Sequence, residues 1–225
     1  FLVWGEMANV YIYSETAVQR VTNEWQTAVR RDYNHPSIVA WTPMNESWGV
    51  PNLIGDPRQA QHLVTMYALT KSLDQSRPVI SNDGWEHAKT DILTIHDYEG
   101  KREVLTPRYA TLDSILSAQP AQRVIALPGY PYEGQPIMLT EFGGIGYRKG
   151  EQAGWGYTTA SDDADYIERY RAVIESTYAS PFIHGFCYTQ ITDVEQEING
   201  LLTYDRQPKV PLEAIKQIND QMPTQ

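Results

Sequence analysis

The stretch Ile38–Pro51, IVAWTPMNESWGVP, decides how the rest of the chain is read. Ile38, Val39, Ala40 and Trp41 form a short apolar run, the pattern of a strand buried on both faces. Asn45 and Glu46 stand where the run stops, followed by Trp48, Gly49 and Pro51. An amide and a carboxylate at the mouth of a core are costly to bury unless they do something there.

Working outward, further apolar runs of strand length occur at Phe1–Trp4, Val79–Ile80, Ile92–Ile95, Ile137–Leu139 and Ile183–Tyr188. Between them lie segments of helical period. Val18, Val21, Trp25, Ala28 and Val29 share one face, as do Leu63, Met66, Tyr67 and Leu73. Tyr166, Ile167, Tyr170, Val173, Ile174 and Tyr178 form a third such face, preceded by Asp162, Asp163 and Asp165, which favour a helix N-terminus. Leu212, Ile215 and Ile218 mark a closing helix. Strand and helix in alternation predict a parallel sheet. No glycine-rich nucleotide loop follows any strand, since GGIGYRKG has neither required spacing. The strands are followed instead by Asn45-Glu46, Asn82-Asp83, His96-Asp97-Tyr98 and Glu141, and active sites of (β/α) barrels form at those ends. The expected fold is therefore an α/β (β/α)8 TIM barrel. Six strands are visible, so the first two would precede Phe1.

Composition narrows the function. The 225 residues carry 18 basic and 28 acidic side chains, a formal charge of −10. A nucleic acid partner needs a positive surface and is not expected. The apolar runs are too short to span a bilayer, so no membrane partner is expected. The single cysteine, Cys187, rules out an intrachain disulfide, and its apolar run predicts an inert core thiol. No His/Cys cluster has zinc spacing, and no metal or cofactor is expected. Fifteen tyrosines and six tryptophans offer flat rings with a polar edge, which suit a sugar as well as a core. The chain opens at once on Phe1–Trp4, without initiator methionine or targeting segment, and reads as cut from a longer polypeptide.

Glu46 and Glu141, each leaving a strand, would be ordinary loop carboxylates taken singly. On one barrel face they would form the pair that glycosidic hydrolysis requires. The residues around them carry a resemblance. RDYNHPSIVAWTPMNESWG (31–49) is similar to the acid/base segment of glycoside hydrolase family 2, at the fourth barrel strand. PIMLTEFGG (136–144) resembles that family's nucleophile segment at the seventh strand. YTQITDVEQEINGLLTYDRQPK (188–209) resembles the eighth strand and its loop, and FLVWGEM (1–7) fits the third. The order is right over essentially the whole chain, and the 188–209 tail separates this family from cellulase-like barrels that also begin their site with Asn-Glu.

The resemblance implies a catalytic barrel over residues 1–225, with the family's sandwich domains and first two strands outside this chain. It implies a retaining β-glycosidase acting on a β-linked oligosaccharide or other glycoside. Glu141 would be the nucleophile and Glu46 the acid/base, their carboxyls about 5–5.5 Å apart. Glu46 would need an apolar wall, from Trp48 or Trp41, to hold its proton. Tyr98 matches the tyrosine that hydrogen-bonds the nucleophile, with a rim tyrosine packed on loops as the alternative. Asn45 matches the asparagine that binds the sugar 2-hydroxyl. His96 is placed either to contact sugar or carboxylate, or as a satisfied core histidine. Asn82 and Trp85 could reach the sugar or form a turn. Tyr188 is expected where many members carry a platform tryptophan. The Asn-x-Lys pair that binds a uronic carboxylate in β-glucuronidases is absent from Glu197-Ile198-Asn199-Gly200, so a neutral sugar, as in β-galactosidases, is expected. The competing reading is an inactive truncated barrel serving as a carbohydrate-binding or structural module, completed by another chain or an N-terminal segment.

Overall fold

The computed structural model describes residues 1–150 and 153–221. The chain divides into two compact units: Phe1–Ile95 with Gln122–Met138, and His96–Ala121 with the residues from Leu139 onward.

In the first unit, β1 (Val3–Glu6) leads through α1 (Glu15–Asp32) to β2 (Ile38–Thr42), and the two strands pair in parallel. Helix α1 starts where the Ser14 hydroxyl accepts the Ala17 N–H, with Glu15 in its first turn and Arg30 and Arg31 in its last. Those signs suit the helix dipole. Val21, Trp25 and Val29, spaced four apart, are its buried stripe. Helix α2 (Pro57–Leu73) is opened by Asp56 as cap and Pro57, which needs no N–H there. The core joins Trp25, Trp41, Leu63, Met66 and Val79. Trp25 and Trp41 meet edge to face at 5.8 Å, and the Trp41 indole donates to Asp74 at 2.8 Å. Arg77 closes on the same carboxylate at 2.5 Å.

The run at Val79–Ile80 does not form a ladder. It lies beside β2 through single parallel bridges, Trp41 to Val79 and Asn45 to Asp83. Trp41 donates to the Pro78 carbonyl at 3.0 Å and accepts the Ile80 N–H at 2.9 Å, while on the other edge the Val79 N–H donates to the Asp91 carboxylate. After it comes β3 (Leu93–Asp97), buried throughout. The long connection that follows β3 holds two short helices, α3 (Arg102–Arg108) and α4 (Leu112–Ser117), the latter with a reciprocal Thr111–Ser114 capping box.

In the second unit, β4 (Ile137–Gly143) lies between β3 and β7 (Ile183–Thr189), and both β3 and β4 begin in the first unit. Two short strands, β5 (Ile145–Gly146) and β6 (Thr158–Thr159), pair in parallel before α5 (Asp163–Tyr178). The Asp162 side chain caps α5 by accepting the Asp165 N–H, and Tyr166, Tyr170, Val173 and Ile174 are buried. Helix α6 (Leu212–Asn219) buries Ile215 and Ile218, whereas Leu212, in its first turn, is exposed. Among the described residues the ladders form separate sheets of two, three and two strands rather than one continuous barrel sheet.

Strand β7 corrects one expectation. Alternation sends Phe186 and Tyr188 to the face that meets Phe142, Tyr170 and Tyr178, so Cys187 takes the opposite face and is exposed. It is not a core thiol. The acidic loop after β7 is tied down by a buried pair: Lys209 meets Asp193 at 2.7 Å and donates to the Ile198 carbonyl at 2.8 Å.

Candidate active site

Two strand ends carry the polar groups, one in each unit. In the first unit the chain leaves β2 and turns sharply at Glu46 and Ser47, whose φ angles are +51° and +60°. The Glu46 N–H donates to the Asp83 carbonyl at 3.0 Å, and the Asp83 N–H to Met44 at 2.9 Å. Asn45 is buried, and its Oδ1 has no hydrogen-bond partner among the described residues. An orphaned buried acceptor is rare enough to need a reason, and a ligand hydroxyl would supply one.

Of its two readings, sugar contact or turn, Asn82 takes the turn. Its side chain is fully buried and spent on the turn: Oδ1 accepts the Ser47 N–H at 2.9 Å, and Nδ2 donates to Ser47 Oγ at 3.1 Å and the Trp85 carbonyl at 2.8 Å. Trp85 is likewise buried, 7% exposed, so it offers no open ring face. Trp41 is turned into the core against Trp25 and Asp74. Trp48 is 44% exposed and meets Tyr11 edge to face at 5.5 Å, which leaves it the available aromatic on the Glu46 loop.

In the second unit Glu141 lies near the end of β4, half-buried, and a single carboxylate oxygen gathers its neighbours. The Tyr98 hydroxyl donates to Oε2, and His96 Nδ1 lies 3.4 Å from the same atom. Burial first, then the charge of Glu141, push the Tyr98 phenol well above its ordinary pKa, so it remains a donor at any working pH. Its strand end is held by Asp97, which accepts from Arg108 and, at 2.6 Å, from the Tyr109 hydroxyl. Of the alternatives left open for His96 and Tyr98, the structure takes the one that brings both to Glu141.

Tyr188 is not in that group. Its ring packs on Phe142 and Tyr170 at 5.6 and 5.0 Å and lies over Gly143. The next residue, Thr189, faces Tyr98, with Oγ1 3.5 Å from the phenol oxygen. A period-two strand puts neighbours on opposite faces, so a one-residue offset exchanges core for site. Tyr157, which no sequence pattern marks, stacks flat on Tyr98 with centroids 3.4 Å apart. Gly144, at φ +56°, makes room for this stack: a Cβ there would fall 2.5 Å from Tyr157 and 2.8 Å from Tyr98. Ser47, Glu86 and Arg123 were also missed, because their partners are remote in sequence.

Parallel strands alternating with helices, with polar groups at the strand ends, define the class of (β/α) folds. The family description "Glycosyl hydrolases family 2, TIM barrel domain" matches residues 5–224, and the chain belongs to that family. It is similar to the β-glucuronidase of Canis lupus familiaris, 35% identical over 115 residues, covering 45% of this chain and 17% of that protein. It is 28% identical to a β-galactosidase of Vibrio cholerae over 94% of this chain and 21% of that protein. The chain thus spans about a fifth of the length of these relatives. Among solved structures, a β-galacturonidase from Eisenbergiella tayi bound to galacturonate shares the fold, with TM-score 0.72 at 17% identity, covering 99% of this chain and 41% of that one.

Proposed function

We propose that the protein is a retaining β-glycosidase acting on a neutral, non-reducing-end sugar, with Glu141 as nucleophile and Glu46 as acid/base. The observation that carries the reading is the Glu141 carboxylate, half-buried yet oriented by the Tyr98 hydroxyl with His96 beside it. A nucleophilic carboxylate must stay ionised, and a donated hydrogen bond favours the charged form. Glu141 attacks the anomeric carbon as Glu46 gives its proton to the leaving oxygen, which breaks the glycosidic bond and forms a glycosyl ester. Water, deprotonated by Glu46, then releases the sugar with its configuration retained. Asn45 Oδ1 accepts the sugar 2-hydroxyl. These side chains carry each bond-making and proton-transfer step.

Support for a neutral sugar comes from the loop after β7. There Gln190 donates to Asn199 at 2.7 Å and approaches Glu197 at 3.4 Å. Lys209, the lysine of that region, is withdrawn into its buried pair with Asp193. A uronic carboxylate would meet an amide and a carboxylate rather than a cation. The relatives include both uronidases and galactosidases, so the sugar rests on this local chemistry.

A panel of nitrophenyl β-glycosides tests the proposal: β-galactoside, β-glucoside and β-glucuronide, with wild type, Glu141→Ala and Glu46→Ala. Turnover of a neutral glycoside, lost in Glu141→Ala, is expected. Preference for the glucuronide overturns the sugar assignment. One observation favours the alternative of a sugar-binding module, namely that threonine stands at the end of β7 on the Glu141 side, where an aromatic platform was expected. That alternative requires sugar binding without turnover of any glycoside in the panel.

A further inference from the structure

The turn that carries Glu46 is built in an unusual way. Glu46 and Ser47 are consecutive non-glycine residues in the left-handed region, a backbone that persists only when its surroundings over-determine it. The surroundings here are side chains from one distant segment. Asn82 clamps Ser47 from both sides, accepting its N–H and donating to its hydroxyl. The hydroxyl in turn donates to Glu86 Oε2 at 2.5 Å. Glu86 is itself buried, 3% exposed, at φ +49°, and Arg123 reaches both its oxygens at 3.1 and 3.3 Å. A buried carboxylate with one hydroxyl donor and one guanidinium is satisfied, and costly to keep unless it holds something.

We infer that Ser47, Glu86 and Arg123 are positioning residues for the acid/base, a relay that fixes the backbone from which Glu46 projects. This rests on the assignment of Glu46 proposed above. Asn82 sets the height of the turn through the Ser47 N–H. Glu86 fixes its rotation through the Ser47 hydroxyl, and Arg123 fixes Glu86. None of the three touches the sugar. Their effect is on proton transfer, whose efficiency falls steeply when donor and leaving oxygen are misaligned.

Leaving-group dependence isolates that step. A dinitrophenyl glycoside departs without a proton, whereas a phenyl glycoside of the same sugar needs one. For Ser47→Ala the expected loss of kcat/KM is about 10- to 100-fold on the phenyl glycoside and about 3-fold or less on the dinitrophenyl glycoside. Arg123→Gln, at a partly exposed side chain, is expected to give a smaller loss of the same kind and to keep the test open if Ser47→Ala fails to fold. Equal losses on both substrates in a folded variant, or wild-type values in both variants, overturn the inference. Glu46→Ala is run alongside. If it shows the leaving-group dependence while Ser47→Ala does not, the relay fails and the acid/base assignment stands; if Glu46→Ala shows none, the assignment itself fails.

Discussion

Glu141 depends on the groups that reach it, and Tyr98 is the first of them. Tyr98→Phe keeps the ring and its stack on Tyr157 but deletes the donor. Turnover is expected to fall by about 10²-fold, the range for one oriented donor at a developing charge. With the charged form of the carboxylate no longer favoured, the acid limb of the pH–rate profile moves to higher pH. An unchanged profile would remove Tyr98 from the site. Tyr98 was legible as a partner of Glu141: it follows the apolar run Ile92–Ile95, and Glu141 follows another within the 136–144 motif. Tyr188 shows what was not. The family resemblance pointed to it, yet the β7 register, which only packing against Phe142 and Tyr170 fixes, gives the site side to Thr189. Asn82 is polar at a strand end, which left sugar contact and turn both open; its partner Ser47, 35 residues away, decides for the turn.

Among the elements, two buried carboxylates are each held by a cation, Asp74 by Arg77 and Asp193 by Lys209, and removing one partner of such a pair is costly. Burial pushes the Asp74 carboxyl up, but hydrogen bonds from Ser76, Trp41 and Arg77 outweigh it and hold it below the usual range. Arg77→Ala would leave that carboxylate buried without its cation, for an expected loss of about 3–5 kcal/mol in chemical denaturation. Lys209→Met should do the same to Asp193, at about 3–5 kcal/mol, by stripping the loop after β7 of its anchor. His62 of α2 gives a pH signature. Burial lowers its pKa below the ordinary 6.5, so the unfolded chain binds more protons than the folded one just below that value. Stability is therefore expected to fall as pH drops through about 6.5, and the decline should flatten in His62→Gln. Thermal midpoints between pH 7.5 and 5 decide it; parallel slopes would contradict it. The helices were legible because cap and stripe agree, as with Ser14 and Val21-Trp25-Val29 in α1. The Val79–Ile80 run was legible as apolar, but not that the Asp91 carboxylate, 12 residues away, would accept the Val79 N–H.

For the whole molecule, the alternation of apolar runs and amphipathic segments was enough to predict a parallel β/α fold, and the family match bears this out. No helix among the described residues is long and apolar enough to cross a membrane. What sequence periodicity could not supply is the division into separate ladders, since strand pairing depends on partners far apart in the chain. The proposed reaction stands or falls with Glu141 as its nucleophile. Azide added to Glu141→Ala tests it most directly, because a small anion can enter the space of the lost carboxylate and attack the same face of the sugar. Glu141→Ala alone is expected to be inert, and azide to restore turnover of an activated β-glycoside with the α-glycosyl azide as product. Wild-type activity in Glu141→Ala, or a β-glycosyl azide, would contradict it.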